Sequence, residues 1–229
     1  MGLDLNSSIS QDRKSTKISA TLKDMSSNEF KEFNNEVLGY LRQNNLENMI
    51  SEPSSFRVIF TYMVEAIVNS LLYGLFIGIL LITLIIGLFF RSYLLPALSI
   101  FPNILPIGMG FGLWGLFVGE VGFMVAVGMG STLGVIVDFT VHFLSKYELA
   151  RKEFKKSVEE SVIYSFETVG FALIIMTVVL ALGFSVLNLV TFIPIQDFAK
   201  FSVICFVGGL IINFLFLPNL LMKFDKRKF

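Results

Sequence analysis

Asp138 is the one acid set deep inside an apolar stretch of this sequence, and His142, the only histidine, follows four residues later. At that spacing a carboxylate and an imidazole share one face of a helix. A carboxylate left charged in an apolar interior costs several kcal/mol or more, so it takes up a proton or finds a cation. Asp138 is therefore the candidate proton-handling group, and a structural polar anchor is the bland alternative. His142, one turn on, is placed either to relay that proton or to bond a backbone carbonyl near the helix end.

Ala126, Gly130, Gly134, Asp138 and His142 recur every fourth residue. Small residues in such a row let a second helix approach closely, which makes Gly130 and Gly134 candidate packing positions. Two later rows are small and hydroxyl- or amide-bearing: Thr177, Ala181 and Ser185, then Cys205, Gly209 and Asn213. Thr177 or Asn213 is a candidate hydrogen-bond partner for the Asp138 carboxyl; the alternative is that both rows, Gly209 included, are packing surfaces only. Gly108 and Gly112 form another close-approach pair, and Pro102 and Pro106 are candidate kink positions.

Other chemistries find no support. One His and one Asp without a nearby Cys or second His are too few ligands for a metal. The sequence has no GxxxxGK[ST], GxSxG, HExxH or CxxC, so nucleotide hydrolysis, hydrolase and dithiol readings fall away and no cofactor is expected. The basic run at 151–156 is interleaved with acids and sits beside an apolar span, which argues against nucleic acid. Formal net charge is zero, and the single Cys205 precludes an intrachain disulfide.

The elements that must hold these residues follow from the distribution of apolar side chains. Hydrophobic residues make up 54% of the chain and charged ones 16%, below the usual quarter for a soluble domain. Residues 69–90 contain no ionisable side chain. About 20 apolar residues at about 1.5 Å per residue cross a hydrocarbon core of about 30 Å. Further spans are expected at 95–118, 122–146, 168–190 and 199–222. Between the third and fourth, Ala150, Phe154, Val158, Val162 and Phe166 alternate with charged residues, predicting an amphipathic interfacial helix at 147–166.

Residues 1–56 are more polar. The alternation of Ile18, Ala20 and Leu22 predicts a strand at 16–25, and Ser26–Ser27 predict the start of a helix running to Asn45. One strand and one helix are too little to stand alone, so this segment reads as the end of a larger extramembrane domain, joined by a hinge at Ser51–Ser55. The N-terminus lacks the apolar region of a signal peptide. Lys146, Arg151, Lys152, Lys155 and Lys156 after the third span, and Lys223, Lys226, Arg227 and Lys228 after the fifth, mark the cytoplasmic side. Five crossings then place the N-terminal segment outside. An outward N-terminal segment without a signal suggests a preceding span, hence a fragment of a longer chain.

The segment LGVIVDFTVHFLSKYELAR resembles the Gly-x-x-x-Asp signature of the fourth and tenth spans of the resistance-nodulation-division (RND) superfamily. That superfamily includes MMPL-like lipid exporters and relatives of Patched and of sterol-sensing domains. FFRSYLLPALSIFPNILPIGMGFGLWG, TVVLALGFSVLNL and LFLPNLL support it, so the similarity covers about residues 57–222. The resemblance implies that Asp138 takes the signature aspartate position, that His142 is similar to a histidine of several exporter branches, and that Thr177 falls near a hydroxyl position. It also implies a second half facing this one, from another copy or another polypeptide. Phe139 follows Asp138, where many drug-exporter relatives carry a second acid.

The expected fold is an all-α membrane bundle of about five transmembrane helices over residues 57–229. A small α+β extracytoplasmic remnant at 1–56 and a cytoplasmic amphipathic helix complete it. The expected function is half of a proton-motive-force-driven exporter of hydrophobic or lipidic molecules in a bacterial inner membrane, a transporter component and not an enzyme. The alternatives are a sterol-sensing-domain-like module that binds lipid or a partner without transport, and an inactive fragment.

Overall fold

A computed structural model of the chain describes residues 14–16, 19–23, 25–44, 46, 55–119 and 121–227. The chain divides into two compact units, Met1–Tyr62 and Met63–Phe229. In the first, α1 (Ser27–Gln43) begins at a capping box: the Ser26 hydroxyl accepts from the Glu29 backbone N–H, and the Glu29 carboxylate accepts from the Ser26 N–H. These hydrogen bonds draw the Glu29 carboxyl below its usual range. Phe30 is buried, with the Arg57 guanidinium 5.8 Å from its ring, and Asn34 donates to the Tyr62 hydroxyl at 3.4 Å.

Among the described residues of this segment no strand forms. Thr16 makes an isolated backbone pairing, while Ala20 and Leu22 lie in irregular chain. A strand needs a neighbour for its ladder, and the alternation of two apolar side chains does not supply one. Ile18, Asn45 and residues 51–54 of the expected hinge lie outside the described residues.

The second unit contains five helical segments long and apolar enough to cross a membrane. They are α2 (Phe56–Phe90, begun in the first unit), α3 (Leu94–Phe117), α4 (Phe123–Lys152), a fourth segment over Val158–Leu189, and α7 (Ile193–Phe224). The fourth segment is composite: α5 (Val158–Ser165), a π-helical turn at Phe166–Gly170, α6 (Phe171–Val186) and a 3₁₀ turn at Leu187–Leu189. The interfacial helix expected at 147–166 is therefore corrected. Its first third is the end of α4 and its last third the start of the fourth span. Between them Lys155 adopts φ 54, and Ser157 with Glu160 forms a new capping box. Two of the apolar residues of that pattern turn inward, Ala150 closing α4 in the core and Val162 packing with Phe143, Leu144 and Leu217, while Phe154 stands half exposed in the turn between. An every-fourth pattern cannot tell a helix lying on a membrane from two helix ends packed into a bundle.

α7 is the centre of the bundle, packed most closely on α4 and α3. Missing side chains allow this. A Cβ on Gly110 would stand 2.6 Å from Cys205 Sγ, one on Gly209 2.9 Å from Ile136 Cγ1, and one on Gly208 would collide with Met109. α2 is by contrast largely exposed, while half or more of the apolar windows of α3, α4 and α7 is buried. Pro102 and Pro106 lie inside α3 and are buried.

At one end of the bundle α4 and α7 are clasped by polar groups. Tyr147, fully buried, donates to Asp225 Oδ2 at 2.7 Å. Arg227 forks onto Glu148 at 3.0 and 2.9 Å and also donates to Asp225 at 2.9 and 2.8 Å. Arg151 donates to the carbonyl of Arg227, and Lys152 to that of Phe90 at 3.0 Å. Burial by itself would push the Asp225 carboxyl up, but the hydrogen bonds from Arg227 and Tyr147 outweigh it and hold it at about 2 against an ordinary 3.8.

Two predictions follow from this packing. Gly209→Val should lower thermal stability in detergent by about 1–3 kcal/mol through overpacking against Ile136, whereas Gly134→Ala should change it by less than about 0.5 kcal/mol. The Asp225 carboxyl is depressed in the folded state, so its contribution is full above 3.8 and is lost as pH falls through about 2. Asp225→Asn should remove that acid-side loss, about 2 kcal/mol, from the difference between wild-type and variant melting curves recorded against pH.

Candidate functional site

Asp138 and His142 both lie on α4, one turn apart, with His142 Nε2 3.6 Å from Asp138 Oδ1. That is an ion-pair distance and longer than a hydrogen bond. Neither side chain enters the bundle: 54% of Asp138 and 56% of His142 is exposed. Gly130 and Gly134 stand open too, with nothing within 4 Å of where a Cβ would be. Ala126, at the head of the same row, is buried. Helix geometry explains the change. Four residues turn about 400°, so an every-fourth row drifts about 40° per step and runs from the core to the open side over four steps.

The residues that do face the core beside Asp138 are Ile136, Phe139, Thr140 and Phe143, all fully buried. Thr140 carries the polar chemistry of this face. Its hydroxyl lies 2.7 Å from Asn103 Oδ1 of α3 and 2.8 Å from Asn213 Oδ1 of α7. Asn213 Nδ2 donates to the Gly209 carbonyl at 3.0 Å. Three neutral polar side chains from three helices thus satisfy one another where no water competes.

This arrangement corrects the partners expected for Asp138. Asn213 is committed to Thr140 and to its own helix. Thr177 is buried, and its hydroxyl donates to the Leu173 carbonyl at 2.9 Å. Ser185 similarly bonds back to Ala181 at 2.6 Å. Of the proton-handling residues expected from sequence, Asp138 and His142 come together and Thr177 does not join them. Of the packing residues, Gly209 meets Ile136 and Phe139, Asn213 meets Thr140, and Gly130 and Gly134 meet nothing within 4 Å among the described residues. Gly108 and Gly112 are likewise open, while Gly110 between them makes the close approach. Thr140 and Asn103 went unread because neither is ionisable. Their signal was polarity inside two apolar spans, with Thr140 about 200° round the helix from Asp138.

Among the described residues His142 is the only ionisable group within ion-pair distance of Asp138, and no three His, Cys, Asp or Glu side chains gather to hold a metal. A cavity of about 390 Å³ lies elsewhere, between Trp114 and Phe117 of α3, Asn188, and Lys200 and Ile204 of α7. Asp138 and His142 do not line it. The site sets a carboxylate and an imidazole side by side on an open helix face.

No curated protein matches the chain as a relative. The family model for the MMPL family matches residues 5–223, a stretch that takes in all five apolar segments and the acid-bearing α4. With nearly its whole length matched, the chain is a multi-pass membrane protein of RND type and belongs to the MMPL family.

Proposed function

We propose that this chain is one half of a proton-motive-force-driven exporter of hydrophobic or lipidic molecules, with Asp138 as its proton-coupling carboxylate and His142 as its relay. The observation that carries the reading is the open face of α4, where an acid and an imidazole at 3.6 Å follow two bare glycines within a membrane span. An ionised carboxylate facing lipid is costly, and Gly130 and Gly134 leave room for a second helix to cover it. A second half, from another copy or another polypeptide, would supply that cover. Membership of a transporter family supports the same reading.

Proton uptake by Asp138 would remove a charge from that interface and change how tightly the two halves pack, which is the two-state step that transport needs. The basic groups Lys146, Arg151, Lys152, Lys155, Lys156, Lys223, Lys226 and Arg227 cluster at the ends of α4 and α7 and in the loop after α4. By the positive-inside rule these ends face the cytoplasm, and the segment before α2 lies outside. A bacterial inner membrane is the setting that suits such a pump.

The test is proton flux in liposomes holding the purified chain under an imposed pH gradient. Asp138→Asn should lower flux at least about tenfold, the loss expected when a proton-transfer group is removed, while leaving insertion and thermal stability unchanged. His142→Gln should slow it without abolishing it. Wild-type flux in Asp138→Asn would overturn the reading.

A further inference from the structure

Thr140 is two residues from Asp138, on the opposite side of α4, and it joins α4 to both α3 and α7. Asn103, Thr140 and Asn213 are 3%, 0% and 0% exposed. One hydroxyl carries one proton, so Thr140 cannot donate to two carbonyl oxygens. The Asn213 amide is oriented by its own bond, since Nδ2 donates to the Gly209 carbonyl at 3.0 Å and leaves Oδ1 facing Thr140. Thr140 therefore donates to Asn213 Oδ1 at 2.8 Å, in preference to the Ile136 carbonyl of its own helix at 3.3 Å. The Asn103 amide is equally well placed after a half turn that exchanges its oxygen and nitrogen, and its N–H then donates to Thr140 Oγ1. The outcome is a directed chain from Asn103 on α3, through Thr140 on α4, to Asn213 on α7.

The apolar contacts around this chain set distances, but they are non-directional. They hold α4 against α7, and the clasp at Tyr147 and Glu148 places one end of the pair, but around Asp138, about two turns away, they supply no directional bond of their own. A hydroxyl bonded to two helices resists rotation and axial sliding of α4 there, and inside the bundle no water replaces a bond that breaks. Interhelical hydrogen bonds in membranes contribute modestly to stability, so loss of this one is expected to alter position more than folding.

We propose that Thr140 is a positioning residue, pinning α4 to α3 and α7 so that Asp138 and His142 are held toward the open face. This rests on Asp138 being the proton-coupling group. The groups that α3 and α7 bring to the Thr140 face are neutral, Asn103, Gly209 and Asn213, and the half-exposed Asp138 is turned away from them. None of the acids of α5 and the π turn, Glu159, Glu160 or Glu167, pairs with it; His142 does, on its own helix.

The pin is tested by labelling the full chain in proteoliposomes with dicyclohexylcarbodiimide, which adds to protonated carboxyl groups, and reading Asp138 by mass spectrometry across the neutral pH range. Wild type should lose label as pH rises, and Thr140→Ser, which keeps the hydroxyl, should follow the same curve. Thr140→Val should change the fraction of Asp138 labelled at a given pH by about tenfold. A Thr140→Val curve that superimposes on wild type overturns the pin and leaves Asp138 as the proton site. No label at Asp138 at any pH overturns that site, and the pin with it. Where Thr140→Val does not accumulate, Asn103→Leu, which removes one arm only, is read the same way.

Discussion

α7 lies against α3 and α4 because the positions where the backbones draw together carry no side chain. Gly110, Gly128, Gly208 and Gly209 face Cys205, Phe201, Met109 and Ile136 at separations that a Cβ would violate or strain. In a bilayer there is no hydrophobic force to drive helices together, so close packing and hydrogen bonds must do it. Everything else in the second unit depends on this approach. It brings Asn213 within reach of Thr140, buries Phe201 between α3 and α4, and lets the end of α7 meet the end of α4.

The polar groups then sort by what they can satisfy. Neutral ones go inside: Asn103, Thr140 and Asn213 serve one another, while Thr177 spends its hydroxyl on its own helix. Ionised ones go to the ends, where Glu148, Arg151, Asp225 and Arg227 form a buried clasp in which each charge has an opposite. Such a clasp is weak evidence for stability in itself, because desolvation offsets much of the attraction. It does require one relative placement of α4 and α7. Asp138 fits neither class. It is ionisable and open, and among the described residues the one ionisable group within ion-pair distance is a histidine on its own helix.

Five apolar segments were legible because hydrocarbon thickness sets a length that few soluble helices reach. Their boundaries were less so. The helices exceed the apolar windows, as at Phe56–Phe90 and Val158–Leu189, since a helix continues through the polar ends of a span until a cap or turn stops it. The Asp138–His142 pair was legible because four-residue spacing survives locally. The long row from Ala126 to His142 was not one face, because the drift of a 3.6-residue helix accumulates over its length.

By itself, then, the sequence determined that the chain crosses a membrane about five times, that one helix carries an acid and an imidazole on adjoining turns, and which family pattern surrounds them. These are properties of single segments, governed by local spacing and by transfer out of water. Tertiary structure alone decided which side of α4 looks inward, that Asn213 serves Thr140 and leaves Asp138 without it, and that residues 147–166 belong to two helices. Those outcomes depend on which helix reaches which neighbour, and that is set by the close approach at glycines scattered over three segments. No window of sequence contains both sides of such a contact.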